Sequence, residues 1–323
     1  MKIVCLPGDG IGPEVAAQAL RVLRELPLDA EVAELPFGGA AIDASGEPLP
    51  ARTLAACREA DAVLLGAVGG PQWEPGHAES GLLALRRELD VYANLRPAGD
   101  LLVVRELVGG LYFGARGVRD DGTVFDTCEY HPAQVERVAR RAFELARARR
   151  GSLVSVDKAN VLDTSRLWRR VVTEVARQYP DVEVRHALVD SFAIEIALQP
   201  ETLDVVLTEN MFGDILSDLA SGLLGGLGVA ASASLGDEGP GVFEPIHGSA
   251  PDIAGTGVAN PTAMLRSLAL LLEHAADRVE LARAVRAAVD AALVRAPTRD
   301  VGGEATTVEF ADEVLRSLEV AVS

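Results

Sequence analysis

The chain contains 323 residues, 49% of them hydrophobic, which is enough for one large domain or two ordinary domains with a substantial core. Its net charge of -18 argues against a nucleic-acid or anionic-membrane partner, because both require clustered positive charge. The three cysteines are widely spaced and no apolar run resembles a signal peptide or a membrane span, so we expect a soluble cytoplasmic protein without disulfides.

Apolar strand patterns alternate with helical patterns along the chain. A strand from Ile3 to Leu6 precedes a helix that opens at Pro13 and carries an apolar stripe. The stripe comprises Val15, Ala19, Val22, Leu23 and Leu26. Later strands are predicted over residues 61–66, 152–156, 182–184 and 203–207, a helix over 167–179, and three helical segments after Asn260. This alternation predicts an α/β fold.

The glycines Gly8, Gly10 and Gly12 lie between the first strand and the first helix. The stretch superficially resembles a dinucleotide-binding fingerprint, but the spacing GxGxG lacks the third glycine in the place that permits close helix packing. We therefore interpret it as a tight strand-to-helix turn.

The segment 210–218 predicts a helix on which Asp214 and Asp218 leave the same face. Two carboxylates in that arrangement can converge on Mg²⁺ or Mn²⁺. The alternative is a solvated acidic stripe, although Met211 and Ile215 make the helix apolar around the pair. Asp190, which ends the predicted strand 188–190, is a candidate third ligand.

Basic side chains suggest an anion-binding site and a base. Arg86, Arg96 and Arg105 stand close together in the sequence, and a guanidinium can bind a carboxylate through two hydrogen bonds. Of thirty basic residues only Lys2 and Lys158 are lysine. Because lysine, unlike arginine, can lose its proton in a suitable environment, Lys158 is a candidate base, with compositional drift as the alternative.

Six segments of the chain together resemble the β-decarboxylating dehydrogenases, which form the isocitrate/isopropylmalate dehydrogenase family. They are residues 6–14 (LPGDGIGPE), 93–97 (ANLRP), 104–106 (VRE), 156–162 (VDKANVL), 210–218 (NMFGDILSD) and 244–253 (EPIHGSAPDI). A helical face with Glu79, Leu82, Leu83 and Arg86 resembles the members that act on isopropylmalate, whereas members that act on isocitrate carry small polar residues there.

The resemblance implies oxidative decarboxylation of a 2-hydroxy diacid, with 3-isopropylmalate of leucine biosynthesis as the expected substrate. Lys158 is then the expected base and Tyr112 the expected acid that protonates the enolate. The implied substrate-binding residues are Glu79, Leu82, Leu83, Arg86, Arg96, Arg105, Asn160, Val161, Asp190 and Asp214. Mg²⁺ or Mn²⁺ would be bound by Asp214 and Asp218 of one subunit and Asp190 of the other.

The cofactor that the resemblance implies is NAD, bound away from the N-terminal glycines. The implied cofactor-binding residues are Ile11, Glu244, His247, Gly248, Ser249, Ala250, Asp252, Ile253 and Asn260. Asp252 would accept hydrogen bonds from the adenosine ribose hydroxyls and repel a 2′-phosphate, so we expect NAD rather than NADP.

The implied fold is α/β, with two domains that share a mixed central sheet flanked by helices and with the active site in the cleft between them. Residues 1–92 and 225–323 would form the cofactor-side domain, and residues 93–224 the substrate, metal and dimerisation domain. Helices over 211–223 and 167–175 would pack against their symmetry mates in a homodimer, so that Lys158 and Asp190 act in the partner's site.

Two segments depart from the family pattern. The connection between Arg96 and Arg105 is shorter than in relatives, and the stretch 71–78 also looks shortened. These departures leave open an isocitrate, homoisocitrate, malate or tartrate dehydrogenase of the same family. They also leave open a non-catalytic binding or regulatory subunit.

Overall fold

A computed structural model describes residues 1–223 and 225–322 of the chain. The helices are α1 (Gly12–Glu25), α2 (Gly39–Ser45), α3 (Ala51–Glu59), α4 (His77–Glu88), α5 (Pro132–Arg147), α6 (Asp163–Ala176), α7 (Val189–Leu198), α8 (Asn210–Leu223), α9 (Thr262–His274), α10 (Val279–Arg295) and α11 (Thr307–Val322). The strands are β1 (Lys2–Gly8), β2 (Glu31–Glu34), β3 (Ala62–Ala67), β4 (Ala93–Ala98), β5 (Leu101–Glu106), β6 (Arg116–Val118), β7 (Val124–Asp126), β8 (Ser152–Asp157), β9 (Glu183–Leu188), β10 (Val205–Thr208), β11 (Ala231–Leu235) and β12 (Gly241–Pro245).

The first helix shows how apolar periodicity becomes packing. Pro13 stands at the start of α1, where its missing N–H would have no helical partner in any case. Val15, Ala19 and Val22 recur at helical spacing and are all buried. The predicted helix is confirmed, as are the three helical segments after Asn260, which are α9, α10 and α11.

The chain divides into two compact units. The terminal unit comprises Met1–Leu89 and Gly226–Ser323, and the central unit comprises Asp90–Gly225. Leu224 and Ser323, the last residues of the two predicted domains, lie outside the described residues. The predicted domain boundaries therefore remain a prediction.

The strands of the terminal unit follow the order β2-β1-β3-β12-β11. Neighbouring strands are parallel except for β11, which is antiparallel to β12. Helices α1 and α9 pack against these strands, α10 packs on α9, and α11 packs on α10 and α1. Both faces of β3 are buried, which agrees with its continuous apolar sequence.

The strands of the central unit follow the order β4-β5-β10-β8-β9, and β6 pairs with β7 in a separate ribbon. Only the β4–β5 pair in that order is antiparallel. Helices α7 and α8 bury Phe192 and Leu216 with Val103, Val154 and Val206 of the strands. The expected α/β class, with mixed strand directions flanked by helices, is confirmed.

The short connection between Arg96 and Arg105 is a β-hairpin. Ala98 pairs with Leu101, so only Gly99 and Asp100 form the turn between β4 and β5. The two arginines therefore lie on paired strands joined by a two-residue loop.

One expectation about local structure is wrong. The strand predicted to end at Asp190 ends at Leu188, and Asp190 lies in the first turn of α7. A carboxylate in a first helical turn interacts favourably with the helix dipole, which favours a helix at this position. The glycine segment, by contrast, does form the predicted turn between β1 and α1.

No helix within the described ranges combines the length and apolar character that a bilayer span requires.

Candidate active site

Two buried arginines of the central unit meet the acidic residues of α8. Arg96 and Arg105 project from the same face of the hairpin, because Asn94 pairs with Arg105 and stands two residues before Arg96. Arg96 Nη2 lies 3.3 Å from Asp214 Oδ1, and its Nη1 lies 3.1 Å from Asp218 Oδ1. Arg105 Nη1 forms an ion pair with the same oxygen of Asp214. Four of the predicted anion-binding and metal-binding residues therefore form one cluster, and Arg86 and Asp190 have other partners.

Tyr112 joins this cluster through its hydroxyl group, which donates to Asp214 Oδ2 at 2.9 Å. The ring also lies beside the Arg105 guanidinium, 5.6 Å from its carbon. Burial and the Asp214 carboxylate raise the pKa of Tyr112 to about 12. The phenol therefore carries its proton at neutral pH and can serve as a proton donor.

Asp214 and Asp218 fit a divalent cation by their chemistry. They stand four residues apart on α8, and both approach the Arg96 guanidinium, so their oxygens converge. Burial, opposed by Arg96, raises the pKa of Asp218. Among the described residues of one chain, no group of three acidic, histidine or cysteine side chains could hold a metal ion. A complete ligand set therefore needs donors beyond this pair.

Lys158 pairs with Asp190 at another place in the central unit. Lys158 follows β8, and its Nζ donates to Asp190 Oδ1. This hydrogen bond lowers the pKa of Asp190 below its usual value. The structure thus brings the candidate base to the candidate third ligand, although no described group of three ligands joins Asp190 to Asp214 and Asp218.

The turn after Lys158 is held by a buried aspartate. Asp157 accepts two hydrogen bonds at 2.8 Å from the Arg169 guanidinium, and one at 2.9 Å from the Ala159 N–H. Beyond this turn Asn160 and Val161 are exposed, which leaves them available for contact with a ligand. Asp157 therefore fixes the backbone that carries the candidate base.

Three polar residues of the cluster were not predicted as site residues. Asn94 accepts from Arg96 Nε at 2.7 Å, and Ser217 accepts from Arg96 Nη1 at 2.8 Å. Asn210 accepts from Arg105 Nε at 3.0 Å and from Nη2 at 2.7 Å. A signal was available in the sequence, since residues 210, 214, 217 and 218 share one face of a helix.

Glu106 lies fully buried behind the arginine cluster. Its carboxylate accepts from the N–H groups of Val108 and Gly109 at 3.0 and 2.9 Å. Burial raises the pKa of Glu106 to about 7, although these N–H groups, Tyr130 and Arg137 favour the charged form. The folded protein therefore binds a proton here that the unfolded chain releases at lower pH.

The Glu106 proton predicts a pH-dependent stability. The folded pKa exceeds the unfolded value of 4.5, so stabilisation is complete below pH 4.5 and is lost as the pH rises to about 7. Glu106→Gln removes this dependence. The unfolding free energy of the variant minus that of the parent should therefore increase by about 3 kcal/mol between pH 4.5 and pH 8. Chemical denaturation at both pH values measures this gain. The exposed Glu183→Gln is the control, and a parallel pH dependence in Glu106→Gln and the parent would contradict the assignment.

In the terminal unit, α4 carries the mixed face predicted from the sequence. Glu79 is exposed, Leu82 and Leu83 are half-buried, and Arg86 is buried. The carboxylate of Glu79 lies beside Gly69, because a Cβ built there would stand 2.5 Å from Glu79 Oε1. Two half-buried leucines between polar ends suit the wall of a pocket better than a closed core.

Arg86 reaches the residues expected to bind the cofactor. Its Nη2 donates to Glu244 Oε1 at 2.7 Å, and both side chains are almost completely buried. The Nε of Arg86 is buried with no hydrogen-bond partner among the described residues. A buried donor without a partner is costly, so this atom is suited to receive a ligand oxygen.

The glycine turn supports the loop that follows β12. The N–H of Ile11 donates to the Ser249 carbonyl at 2.8 Å, and Ile11 is buried. Gly10 has a φ of +56°, and a Cβ there would stand 2.0 Å from the Ser249 oxygen. Only glycine permits this approach, so the turn holds Ser249 and the adjoining Ala250 in place.

The same loop shows groups suited to a cofactor. Burial lowers the pKa of His247, whose Nε2 is buried with no described hydrogen-bond partner. Gly248, Asp252 and Ile253 are exposed. Asn260, nearby in sequence, donates to Asp300 Oδ2 at 2.9 Å and accepts from the Thr262 N–H at 2.9 Å. A buried ring nitrogen without a described partner, followed in the sequence by an open glycine and an exposed carboxylate, fits a polar ligand such as a dinucleotide.

The chain is similar in sequence to proteins of known name. The chain is 51% identical over 344 aligned positions to the 3-isopropylmalate dehydrogenase of Deinococcus radiodurans, covering 98% of this chain and 97% of the relative. It is 47% identical over 342 positions to that of Bacillus cereus, with the same coverage. These alignments exceed the chain's 323 residues, so the relatives carry additional residues.

The structure is also similar to a solved one. The crystal structure of isocitrate dehydrogenase from Methylococcus capsulatus matches with a TM-score of 0.93 and 36% identity, over 98% of this chain and 99% of that chain. The sequence profile described as isocitrate/isopropylmalate dehydrogenase matches residues 2–314. The chain therefore belongs to the isocitrate/isopropylmalate dehydrogenase family.

Proposed function

We propose that the chain is a 3-isopropylmalate dehydrogenase that uses NAD and Mg²⁺ or Mn²⁺. It would oxidise and decarboxylate 3-isopropylmalate to 4-methyl-2-oxopentanoate in leucine biosynthesis. The observation that carries this proposal is the cluster in which Arg96, Arg105 and Tyr112 converge on Asp214. A dehydrogenase that removes a carboxylate needs cations to hold that group and an acid to protonate the carbon left behind.

The two arginines would bind the substrate carboxylates. Both guanidinium groups are almost fully buried, so their attraction for an anion is weakly screened by water. Their ion pairs with Asp214 and Asp218 balance much of this charge. Neutralisation of the aspartates by a bound cation would release the guanidinium charge for the substrate, which gives a physical reason for metal dependence.

Two proton transfers would frame the reaction. Lys158 would accept the proton of the C2 hydroxyl group while the C2 hydrogen leaves as hydride for the nicotinamide. Tyr112, whose phenol is protonated at neutral pH, would donate a proton to the carbon that loses carbon dioxide. A divalent cation held by Asp214 and Asp218 would supply the Lewis acidity that polarises the C2 oxygen.

The cofactor would bind to the loop after β12. His247 Nε2 and the exposed Asp252 would offer hydrogen bonds to the dinucleotide, and Asp252 would disfavour a 2′-phosphate. The turn at Gly10 would keep Ser249 in position for this contact.

The working form would be a cytoplasmic homodimer with shared active sites. Exposed apolar residues form one stripe on α8, at Ile215 and Leu223, and another on α7, at Ile194 and Leu198. The other helix expected at the interface, α6, directs most of its apolar side chains into its own unit. We therefore propose α7 and α8 as the interface, with Lys158 and Asp190 reaching the partner's site. Three free cysteines agree with a reducing compartment.

The proposal is tested by comparing substrates with the purified chain. We expect metal-dependent NADH formation with kcat/KM highest for 3-isopropylmalate among isopropylmalate, isocitrate, homoisocitrate, malate and tartrate. Addition of a chelator should abolish the signal, and fresh Mg²⁺ should restore it. If kcat/KM is higher for another of these acids, that acid is the substrate and the isopropylmalate assignment is wrong. If no acid is turned over, the proposed dehydrogenase function is wrong.

The leucines of α4 predict the specificity of the pocket. The isopropyl group gains about 25 cal/mol per Å² of apolar surface buried against Leu82 and Leu83. Leu83→Asn should therefore lower kcat/KM for isopropylmalate about 10- to 100-fold relative to malate. The matched control is Leu54→Asn, a half-buried leucine on α3. Equal losses on both substrates would remove the leucines from the pocket.

A further inference from the structure

Arg105 is oriented by a neutral side chain. Its Nε and Nη2 atoms both donate to Asn210 Oδ1, at 3.0 and 2.7 Å, while Nη1 faces Asp214. The edge of the guanidinium away from Asp214 is thus held by an amide oxygen that carries no net charge.

Asn210 is itself fixed by its surroundings. Its side chain is fully buried, and Nδ2 donates to the carbonyl groups of Leu107 at 3.2 Å and Gly109 at 2.9 Å. Its backbone N–H donates to the Tyr130 hydroxyl oxygen at 3.0 Å. A flipped amide would direct an NH₂ group at the arginine and an oxygen at two carbonyls, so only the observed orientation satisfies all partners.

The carbonyls that hold Asn210 belong to a rigid segment. Glu106 accepts from the N–H groups of Val108 and Gly109, as described above. Helix α8 also crosses close over Arg105, since a Cβ at Gly213 would stand 2.7 Å from Arg105 Cγ. The Arg105 side chain is therefore closely packed against α8.

The charge of the residue at position 210 matters because Arg105 already faces one carboxylate. A second carboxylate on its other edge would cancel the remaining attraction for an anionic substrate. The overall net charge of -18 would add to that loss rather than offset it.

We propose that Asn210 is a positioning residue that orients Arg105 towards a substrate carboxylate. Because Asn210 is neutral, Arg105 keeps the positive charge that binds this carboxylate. This inference rests on the proposed function, in which Arg105 binds the substrate. It adds Asn210 to the residues that determine substrate affinity.

The test compares Asn210→Asp with Asn210→Ala in the full-length enzyme. Asn210→Asp keeps an oxygen for Arg105 but adds a charge, so the KM for the 2-hydroxy acid should rise at least tenfold while the KM for NAD stays within twofold. Asn210→Ala removes the hydrogen bonds that orient Arg105 without adding a charge. The KM of this variant for the acid should therefore rise less, about threefold to tenfold. Asn210→Asp also directs an oxygen at the Leu107 and Gly109 carbonyls, so a purely structural role is recognised by a KM for NAD that rises together with the KM for the acid.

The chain offers a matched control for an added charge beside an arginine. Gln18 is also buried and accepts from Arg21, which pairs with Asp312. Gln18→Glu should leave both KM values unchanged. The melting temperature of every variant is measured to verify that the variant is folded at the temperature of the kinetic assay.

Each outcome decides the inference separately from the function. Wild-type inactivity on every acid would overturn the proposed function. An active wild type with Asn210→Asp within twofold in both KM values, or with equal rises in both, would overturn the role of Asn210. If Asn210→Asp does not fold, Asn210→Ala decides, and a KM for the acid within twofold of wild type overturns the inference.

Discussion

Lys158→Arg is expected to lower kcat by about 10³-fold, within the range attributed to general acid–base catalysis. The substitution retains a positive charge that can pair with Asp190, so the local ion pair should persist. A guanidinium remains protonated at any working pH and cannot accept the hydroxyl proton. Steady-state kinetics with 3-isopropylmalate and NADH binding by fluorescence should show a loss of turnover with cofactor affinity intact.

The control for this experiment is the other lysine of the chain. Lys2→Arg makes the same chemical change on an exposed side chain at the start of β1 and should leave kcat unchanged. If Lys158→Arg turns over at near the wild-type rate, Lys158 is not the base. The presence of lysine rather than arginine at position 158 is then a result of compositional drift.

Asp214→Asn should have an effect of similar size for a different reason. The carboxylate accepts from Tyr112, pairs with both arginines and would bind the cation together with Asp218. The amide keeps the shape but removes the charge that all of these partners require. We expect kcat to fall at least 100-fold, and the Mg²⁺ concentration for half-maximal activity to rise at least tenfold, since even outer-shell changes cost about 10- to 100-fold in metal affinity.

Activity titrations with Mg²⁺ and with Mn²⁺ measure both effects. Asp163→Asn is the control, because Asp163 is exposed at the start of α6 and pairs with Arg166 one turn along the same helix. An Asp214→Asn enzyme with an unchanged metal requirement would exclude Asp214 as a ligand, whatever its turnover.

Local patterns in the sequence were sufficient for much of the fold. Helix α1 follows from the spacing of Val15, Ala19 and Val22 after Pro13, because each apolar side chain meets the same core. The spacing of Asp214 and Asp218 likewise predicts their convergence on one face of α8. Such features depend on the period of a helix, which a single sequence displays.

Two further features had signals that could have been used. Asn210 and Ser217 share the helical face of Asp214, so both could have been proposed as site residues with it. Gly99 and Asp100 between two apolar runs are typical of a two-residue hairpin, which would have predicted the β4–β5 pair.

Other features depend on contacts that no local pattern reveals. Arg86 and Glu244 are 158 residues apart, and their ion pair exists only because the fold brings α4 to β12. Asp190 was assigned to the wrong element, because the apolar run of β9 continues into α7 at Val189 without a glycine or proline between them. The pairing of Lys158 with Asp190 is tertiary in the same way.

The two-residue turn between β4 and β5 has a consequence for the order in which the chain folds. Hairpins form in about 1–10 μs, whereas contacts between distant segments must first overcome the entropy of closing a long loop. Arg96 and Arg105 should therefore become neighbours early, while Asp214 follows Arg105 by 109 residues and arrives late. While it forms, the hairpin holds two like charges side by side, so added salt or sulfate is expected to speed its formation.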